Sequence, residues 1–106
     1  RRWARDRLRL AVDPPERPCP VVPDVLGFSI SGGAPGQIVR LMIVALNGVV
    51  LEEPVVLPGP DVFCAAGRWQ ESLMAPGGLC GSTSVTFQAW SRLPGGAIVL
   101  SDPLVW

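Results

Sequence analysis

Apolar and polar residues alternate along most of the chain, which is the pattern of β-strands with one buried face. In the segment Val25 to Ser31, Leu26, Phe28 and Ile30 alternate with Gly27, Ser29 and Ser31. Because successive side chains of a strand point to opposite faces, this period of two predicts a half-buried strand. The segment Thr83 to Trp90 has the same pattern, with Val85, Phe87 and Ala89 predicted inward and Trp90 outward.

The segment Gln37 to Leu46 has apolar residues at both alternating sets of positions, and so on both faces of a strand. It therefore predicts a strand that is either central in its sheet or covered on its outer face. The Asn47-Gly48 pair that follows favours a type I′ turn, since both residues tolerate positive φ angles. It predicts a hairpin in which Leu46 faces Val49 and Val44 faces Leu51. The Glu52-Glu53-Pro54 run adds charge, and its proline lacks a backbone N–H to donate to a neighbouring strand, as expected at a sheet edge.

Further strands are expected on both sides of this hairpin. Arg68 to Met74 places Trp69, Glu71 and Leu73 on one face, with Trp69 predicted in the core. Asp61 to Ala66 fits either a short edge strand or a loop. Ala97 to Val105 is predicted as the last strand, with a kink at Asp102-Pro103.

The N-terminal part differs in character from the rest. Arg1 to Leu10 contains five Arg and one Asp, and Leu8, Leu10 and Val12 alternate with Arg7, Arg9 and Ala11. This predicts a first strand or one donated to a neighbour, although Arg1 to Leu10 also fits a turn or two of helix. Five prolines between residues 14 and 23 then predict an extended connector.

These patterns predict an all-β chain: an antiparallel β-sandwich of about seven strands with a basic N-terminal arm. The expected boundaries are residues 1–23 for the arm and the proline-rich connector and residues 24–106 for the sandwich domain. Composition agrees, because 12 Gly and 12 Pro among 106 residues suit many short strands joined by turns.

Charge and composition narrow the possible chemistry. The net charge is zero, and residues 11–106 are mildly acidic beside the basic arm. The preferred interpretation of the arm is a solvated or partner-docked tail, and the alternatives are binding to phosphate or to an anionic membrane surface, or a position beside a transmembrane segment. We expect no nucleic-acid partner. No segment reaches the roughly 18 apolar residues that a membrane-spanning helix needs.

Catalysis is not predicted. The chain has no His, the side chain most used for acid–base work near neutral pH and for binding zinc, and its carboxylates form no paired motif. The segment Gly32 to Gly36 precedes a strand and lacks the Lys and Ser/Thr of a phosphate-binding loop. We therefore expect no enzyme activity, no cofactor and no metal.

The three cysteines, Cys19, Cys64 and Cys80, have no metal-ligand spacing. One disulfide with one free thiol would imply an oxidising compartment, whereas three reduced and mostly buried thiols are the alternative. The odd cysteine can also pair between chains. Since a seven-residue strand of about 23 Å separates Cys64 from Cys80, a bond involving Cys19 is preferred.

The segment Phe28 to Trp90 resembles the bacterial immunoglobulin-like (Big-type) modules that occur in tandem in adhesins, secreted surface proteins and phage tail or capsid accessories. The similarity lies in Ile30-Ser31-Gly32, Ala34 to Leu41, Asn47-Gly48, Gly67-Arg68-Trp69 and the Val85, Phe87, Ala89 row. Glu71 departs from the pattern, since the family usually has an apolar inward residue there. A local bulge or a polar partner would accommodate it.

The resemblance implies a non-catalytic structural or interaction module in an extracellular, cell-surface, filament or virion assembly. Its partners would be other protein subunits, further domains of the same chain or another copy bound through the arm. Carbohydrate binding by exposed Trp is the alternative. The candidate partner-binding residues are Trp3, Leu8, Leu10, Val12, Trp90 and Trp106.

Overall fold

The computed structural model describes residues 8–13, 25–74, 84–93 and 95–106. These residues form eight strands and, within the described ranges, no helix. The strands are β1 (Arg9–Asp13), β2 (Val25–Ser31), β3 (Ile38–Leu46), β4 (Val49–Val56), β5 (Arg68–Met74), β6 (Val85–Arg92), β7 (Ile98–Leu100) and β8 (Leu104–Val105). The all-β prediction is confirmed.

The strands form two antiparallel sheets that pack as a β-sandwich. The smaller sheet has the order β1-β2-β5, and the larger has the order β4-β3-β6-β7 with β8 also paired to β6. The rings of Phe28 and Phe87, one from each sheet, lie 4.9 Å apart between centroids. Constant-type immunoglobulin domains divide their strands in the same way except for the fourth, which joins their first, second and fifth strands, whereas β4 here pairs with β3 in the larger sheet.

The core consists of the inward side chains of both sheets, and Trp69 is its largest fully buried member. The rows predicted to point inward are buried: Leu26, Phe28, Ile30, Val85, Phe87 and Ala89. The indole Nε1–H of Trp69 donates a hydrogen bond to the carbonyl oxygen of Pro60 at 2.7 Å. This bond satisfies the one polar atom that burial of the indole removes from water.

Strand β5 is regular at Glu71, the position where the sequence departs from the pattern of the immunoglobulin-like modules. Glu71 lies opposite Phe28 in an uninterrupted β2–β5 register, and its side chain is half-buried. A local bulge is therefore not the explanation for this carboxylate.

The hairpin prediction is partly confirmed. Asn47 and Gly48 have φ angles of 51° and 79°, as a type I′ turn requires, and Leu46 pairs with Val49. The predicted pairing of Val44 with Leu51 is wrong, because the β3–β4 register jumps between Ile43, opposite Val55, and Ala45, opposite Val50. β3 also shifts register against β6 at the same point, because Ile43 faces Phe87 and Ala45 faces Thr86, which leaves Val44 as a bulge in β3. In the β3–β4 ladder the extra residues belong to β4 instead, since Leu51 to Pro54 stand against Val44 alone.

The rest of the exposed edge of β3 is covered by the segment that follows β4. The amide of Val39 donates to Asp61 O at 3.0 Å, and that of Phe63 donates to Gln37 O at 3.0 Å. Val62 forms an isolated bridge with Ile38, so residues 61–66 are a loop with one bridge. β3 therefore lies between partners on both edges, in the central position that its sequence allowed.

The predicted kink divides the last strand in two. Trp90 pairs with Leu100 and Phe87 pairs with Leu104, which leaves three residues of the last segment opposite two of β6. The hydroxyl of Ser101 accepts a hydrogen bond from the Ala89 amide at 2.9 Å, in a position where a strand would use a carbonyl. The bulge therefore keeps the buried edge of β6 hydrogen-bonded.

Strand β1 belongs to the sandwich. It pairs with β2 from Arg9–Ser31 to Asp13–Gly27, and Leu8 and Val12 are buried in the core. The predicted boundary at residue 23 therefore does not hold for residues 8–13, which form part of the folded body. The helical alternative for residues 8–10 is wrong for the same reason. The remainder of the arm and the connector lies outside the described residues.

Candidate interaction face

The outer faces of the two sheets differ in chemistry. In β6, Val85, Phe87, Ala89 and Ser91 are buried, so Thr86, Gln88, Trp90 and Arg92 lie on the outer face. In β3, burial of Val39 and Leu41 likewise places Ile38, Arg40 and Met42 on that face. We call the following surface the Trp90 face: Ile38, Arg40, Met42, Val56, Gln88, Trp90, Arg92, Ile98 and Leu100.

Cross-strand pairing arranges these residues in rows. The central row is Arg40, Trp90 and Leu100, since Trp90 is opposite both of the others. A second row is Ile38, Arg92 and Ile98. A third places Met42 between Val56 and Gln88. Residues directly opposite on one face have Cβ atoms about 5 Å apart, so the rows form a continuous surface.

The central Arg is held in place by the neighbouring loop. Nη1 of Arg40 donates to the carbonyl oxygens of Val39, at 2.9 Å, and Asp61, at 3.0 Å, and lies 3.5 Å from Oδ1 of Asp61. The guanidinium carbon is 6.0 Å from the ring centroid of Trp90, at the outer limit of a cation–π contact. Arg40 is therefore held in place beside the Trp90 indole, and its charge is paired with that of Asp61.

Gln88 is fixed in a similar way, because its Nε2 donates to the carbonyl oxygen of Ser101 at 2.8 Å. The two long polar side chains at the centre of the face thus have internal hydrogen bonds. Binding a partner would cost little further side-chain entropy at these positions.

The apolar members around this centre are accessible to solvent. Ile98, Leu100 and Val56 are each at least half exposed, while Trp90 and Met42 are half-buried. Exposed apolar side chains around a Trp and an Arg residue are typical of a protein–protein contact site.

The outer face of the smaller sheet has no comparable residues at its centre. Its middle rows are Asp13, Gly27 and Ser72, then Ala11, Ser29 and Gln70. These side chains are small or polar, and they line a shallow cavity of about 350 Å³. The five-stranded sheet therefore carries the stronger candidate for partner contact.

The structure separates the candidate residues identified from the sequence. Trp90 lies on the outer face, as predicted. Trp106 was expected to be exposed, and this is wrong: it is 6% exposed, packs in the core and exchanges backbone hydrogen bonds with Val85. It is therefore not available to stack on a sugar ring beside Trp90.

Leu8 and Val12 are also core residues of their own chain rather than exposed partner contacts, and Leu10 is half-buried against the same core. This arrangement corrects the hypothesis that the segment is donated to a neighbour, since it completes its own sheet. Trp3 lies outside the described residues.

Cys64 is exposed and free, so the prediction of mostly buried thiols is wrong at this position and no disulfide involves it. Hydrogen bonds from the backbone of Ala66 and then Arg68 lower the pKa of the Cys64 thiol, and the charge of Arg68 adds to this effect. Cys19 and Cys80 lie outside the described residues, so their pairing stays a prediction.

Several members of the Trp90 face could not be selected from the sequence. Arg40 is an isolated polar residue in an apolar strand, and only the register brings it next to Trp90. The two-sided apolar pattern of β3 was the one available signal. It allowed either a central strand or a covered outer face, and it did not show which strands would share that face.

The described residues contain no group of three potential metal ligands among His, Cys, Asp and Glu. No helix long and apolar enough to cross a membrane occurs in the same ranges. No family model matches the chain, and no curated protein or solved structure matches it. The similarity to bacterial immunoglobulin-like modules therefore stays a prediction.

Proposed function

We propose that this chain is a non-catalytic interaction module that uses the Trp90 face to contact another protein in a larger assembly. A surface protein, a filament and a virion are the settings suggested by its resemblance to immunoglobulin-like modules. One observation carries the proposal: an aromatic residue lies at the centre of an accessible sheet face with exposed apolar side chains, and two of its polar neighbours, Arg40 and Gln88, are hydrogen-bonded within the chain.

The chemistry of this face suits protein contact. Trp and Arg are enriched in the residues that dominate binding energy, and such residues are most effective when surrounded by apolar contacts that exclude water. Trp90 has Leu100 on one side and Arg40 on the other. We therefore expect Trp90 to supply the main anchor and Ile98, Leu100 and Val56 the surrounding contacts.

The contact would be of modest size. The four strands that share the face are spaced about 4.8 Å apart, and its three rows are about 7 Å apart along the strands. A surface of these dimensions corresponds to a small interface, below the roughly 800 Å² per partner of a standard one. Stable attachment would therefore draw on a second contact or on tandem copies.

Sugar stacking ranks second. Of the two candidate stacking residues Trp90 and Trp106, only Trp90 lies on this surface, because Trp106 is buried. Because sugar-binding faces gain affinity from aromatic rings in contact with the ligand, a single half-buried indole favours protein contact over carbohydrate.

The proposal is tested by site-specific photo-crosslinking in the native assembly. A benzophenone side chain replaces Leu100 on the face and, in a matched control, Met74, an exposed apolar residue at the end of β5. We expect one discrete protein adduct from position 100, none of that mass from position 74, and loss of the adduct when Trp90→Ala is added.

Equal adducts from both positions, or an adduct insensitive to Trp90→Ala, would overturn the proposal. Because Trp90 is half-buried, thermal unfolding of the variant is measured in parallel. An adduct retained by a second face variant, Ile98→Glu, whose target side chain is half exposed, would count equally against it.

A further inference from the structure

Strand β1 forms one edge of the three-stranded sheet. Its only strand partner among the described residues is β2, so its other edge faces away from the sheet. An edge of this kind is a template for pairing with another strand unless charge, proline or a bulge prevents it.

The sequence of β1 is complementary to itself when two copies run antiparallel. With Ala11 opposite Ala11 of a second copy, Arg9 of each chain faces Asp13 of the other, and Leu10 faces Val12. The side chains of Arg9, Ala11 and Asp13 are exposed, and those of Leu10 and Val12 point toward the core. Charge would therefore meet opposite charge on the outside, and apolar residue would meet apolar residue on the inside.

We propose that β1 pairs with β1 of a second copy of this chain, which joins the two small sheets into one six-stranded sheet with the order β5-β2-β1-β1-β2-β5. The contact has a two-fold axis beside Ala11, so it closes as a dimer. It uses a surface separate from the Trp90 face and goes beyond the function proposed above.

The charges select this register. A parallel in-register pairing puts Arg9 beside Arg9 and Asp13 beside Asp13, and a two-residue slip leaves a charge opposite Ala11. No ion pair within the described part of the chain engages Arg9 or Asp13, so pairing with a second copy would break none. Pro14 follows the strand and lacks an amide hydrogen, which limits the ladder to these five residues.

The apolar side of the pairing extends the core. Leu10 is half-buried and packs against the core at the edge of the sheet. A second β1 would cover its remaining exposed surface with Val12 of the partner strand. Because five residues bury much less than a standard interface, the dimer is expected to be weak and to dissociate on dilution.

Sedimentation velocity over roughly 10 µM to 1 mM chain tests the proposal, since weak contacts have dissociation constants in or near this range. Arg9→Asp and Asp13→Arg should each weaken the dimer on the order of tenfold or more, because each creates two like-charge pairs across the axis. The doubly exchanged chain Arg9→Asp/Asp13→Arg should dimerise again. An equimolar mixture of the two single variants should form a mixed dimer.

The matched control is Arg68→Asp, an exposed charge on the opposite edge of the same sheet, which should leave dimerisation unchanged. Leu100→Glu on the Trp90 face should also leave it unchanged, so a failure of this proposal is distinguishable from a failure of the proposed function.

A second measurement does not depend on the folding of charge variants. Antiparallel pairs have Cα separations of about 4.5–5.5 Å, within the range for a disulfide, so Ala11→Cys should form an intermolecular bond at position 11. Peptide mapping without reduction identifies it. A wild-type chain that is monomeric throughout the range, a dimer not restored by the charge exchange, or no bond at position 11 would overturn the proposal.

Discussion

The indole of Trp69 packs directly against Gly59, the glycine of the Pro58-Gly59-Pro60 turn. A Cβ atom built on Gly59 would overlap Cζ2 of Trp69, lying closer to it than non-bonded carbon atoms approach. The next residue, Pro60, accepts the hydrogen bond from the same indole. This turn therefore forms one wall of the site that buries the largest core side chain.

Gly59→Ala should destabilise the fold by about 1–3 kcal/mol, because the new methyl group must displace a buried ring or its own loop. The free energy of unfolding is measured in urea by Trp fluorescence. Gly95→Ala is the control, since no atom lies within 4 Å of the added carbon. Equal stability of the two variants would show that the Trp69 contact imposes no such constraint.

Ser101→Ala should cost about 1–3 kcal/mol, because it removes the acceptor of the Ala89 amide at a fully buried position. The same unfolding experiment measures the change. Ser72→Ala, at an exposed position of β5, should change stability by less than about 0.5 kcal/mol. If Ser101→Ala were equally neutral, the bulge would not depend on its hydroxyl.

Cys64 in the folded chain should react with iodoacetamide at lower pH than in the unfolded chain. Backbone hydrogen bonds from Ala66 and then Arg68 lower the pKa of this thiol, and the thiolate is the nucleophile. Alkylation rates are followed by peptide-resolved mass spectrometry across pH, with and without urea. The peptide resolution separates Cys64 from the other two cysteines.

The same shift sets the sign of a pH effect on stability. Because the folded pKa lies below the unfolded pKa, the unfolded state binds more protons between the two values. The contribution of Cys64 to stability is therefore present above the unfolded pKa and is lost as pH falls through the folded pKa. A Cys64→Ser chain should lack this component, and identical pH dependence of the two chains would contradict it.

Comparison of the turns shows which part of the fold is local. Asn47-Gly48 predicts its hairpin because the φ angles and the pairing of Leu46 with Val49 depend on adjacent residues. The next predicted pair, Val44 with Leu51, is wrong because β3 bulges at Val44 against β6, and β4 has extra residues at the same point of its own ladder with β3. A constraint from a strand 40 residues away is not visible in the hairpin sequence.

The same distinction applies to the tryptophans. Alternation placed Trp69 inward and Trp90 outward, since each lies in a regular strand whose parity is set by its neighbours. Trp106 follows a proline kink that interrupts the alternation, and its burial depends on the bulge at Ser101 and on pairing with Val85. The burial of Trp106 was therefore not predictable from the alternation of inward and outward residues.

By itself, the amino-acid sequence determined strands β2, β3, β5 and β6, the residues of each that point inward, and the central position of Trp69, because these depend on side-chain alternation and turn chemistry within about ten residues. The tertiary structure decided that β1 completes its own sheet, that Trp106 lies in the core, and that Arg40, Trp90 and Leu100 share one row. These relationships join residues far apart in the chain through register and sheet order, and a local pattern does not encode either of them.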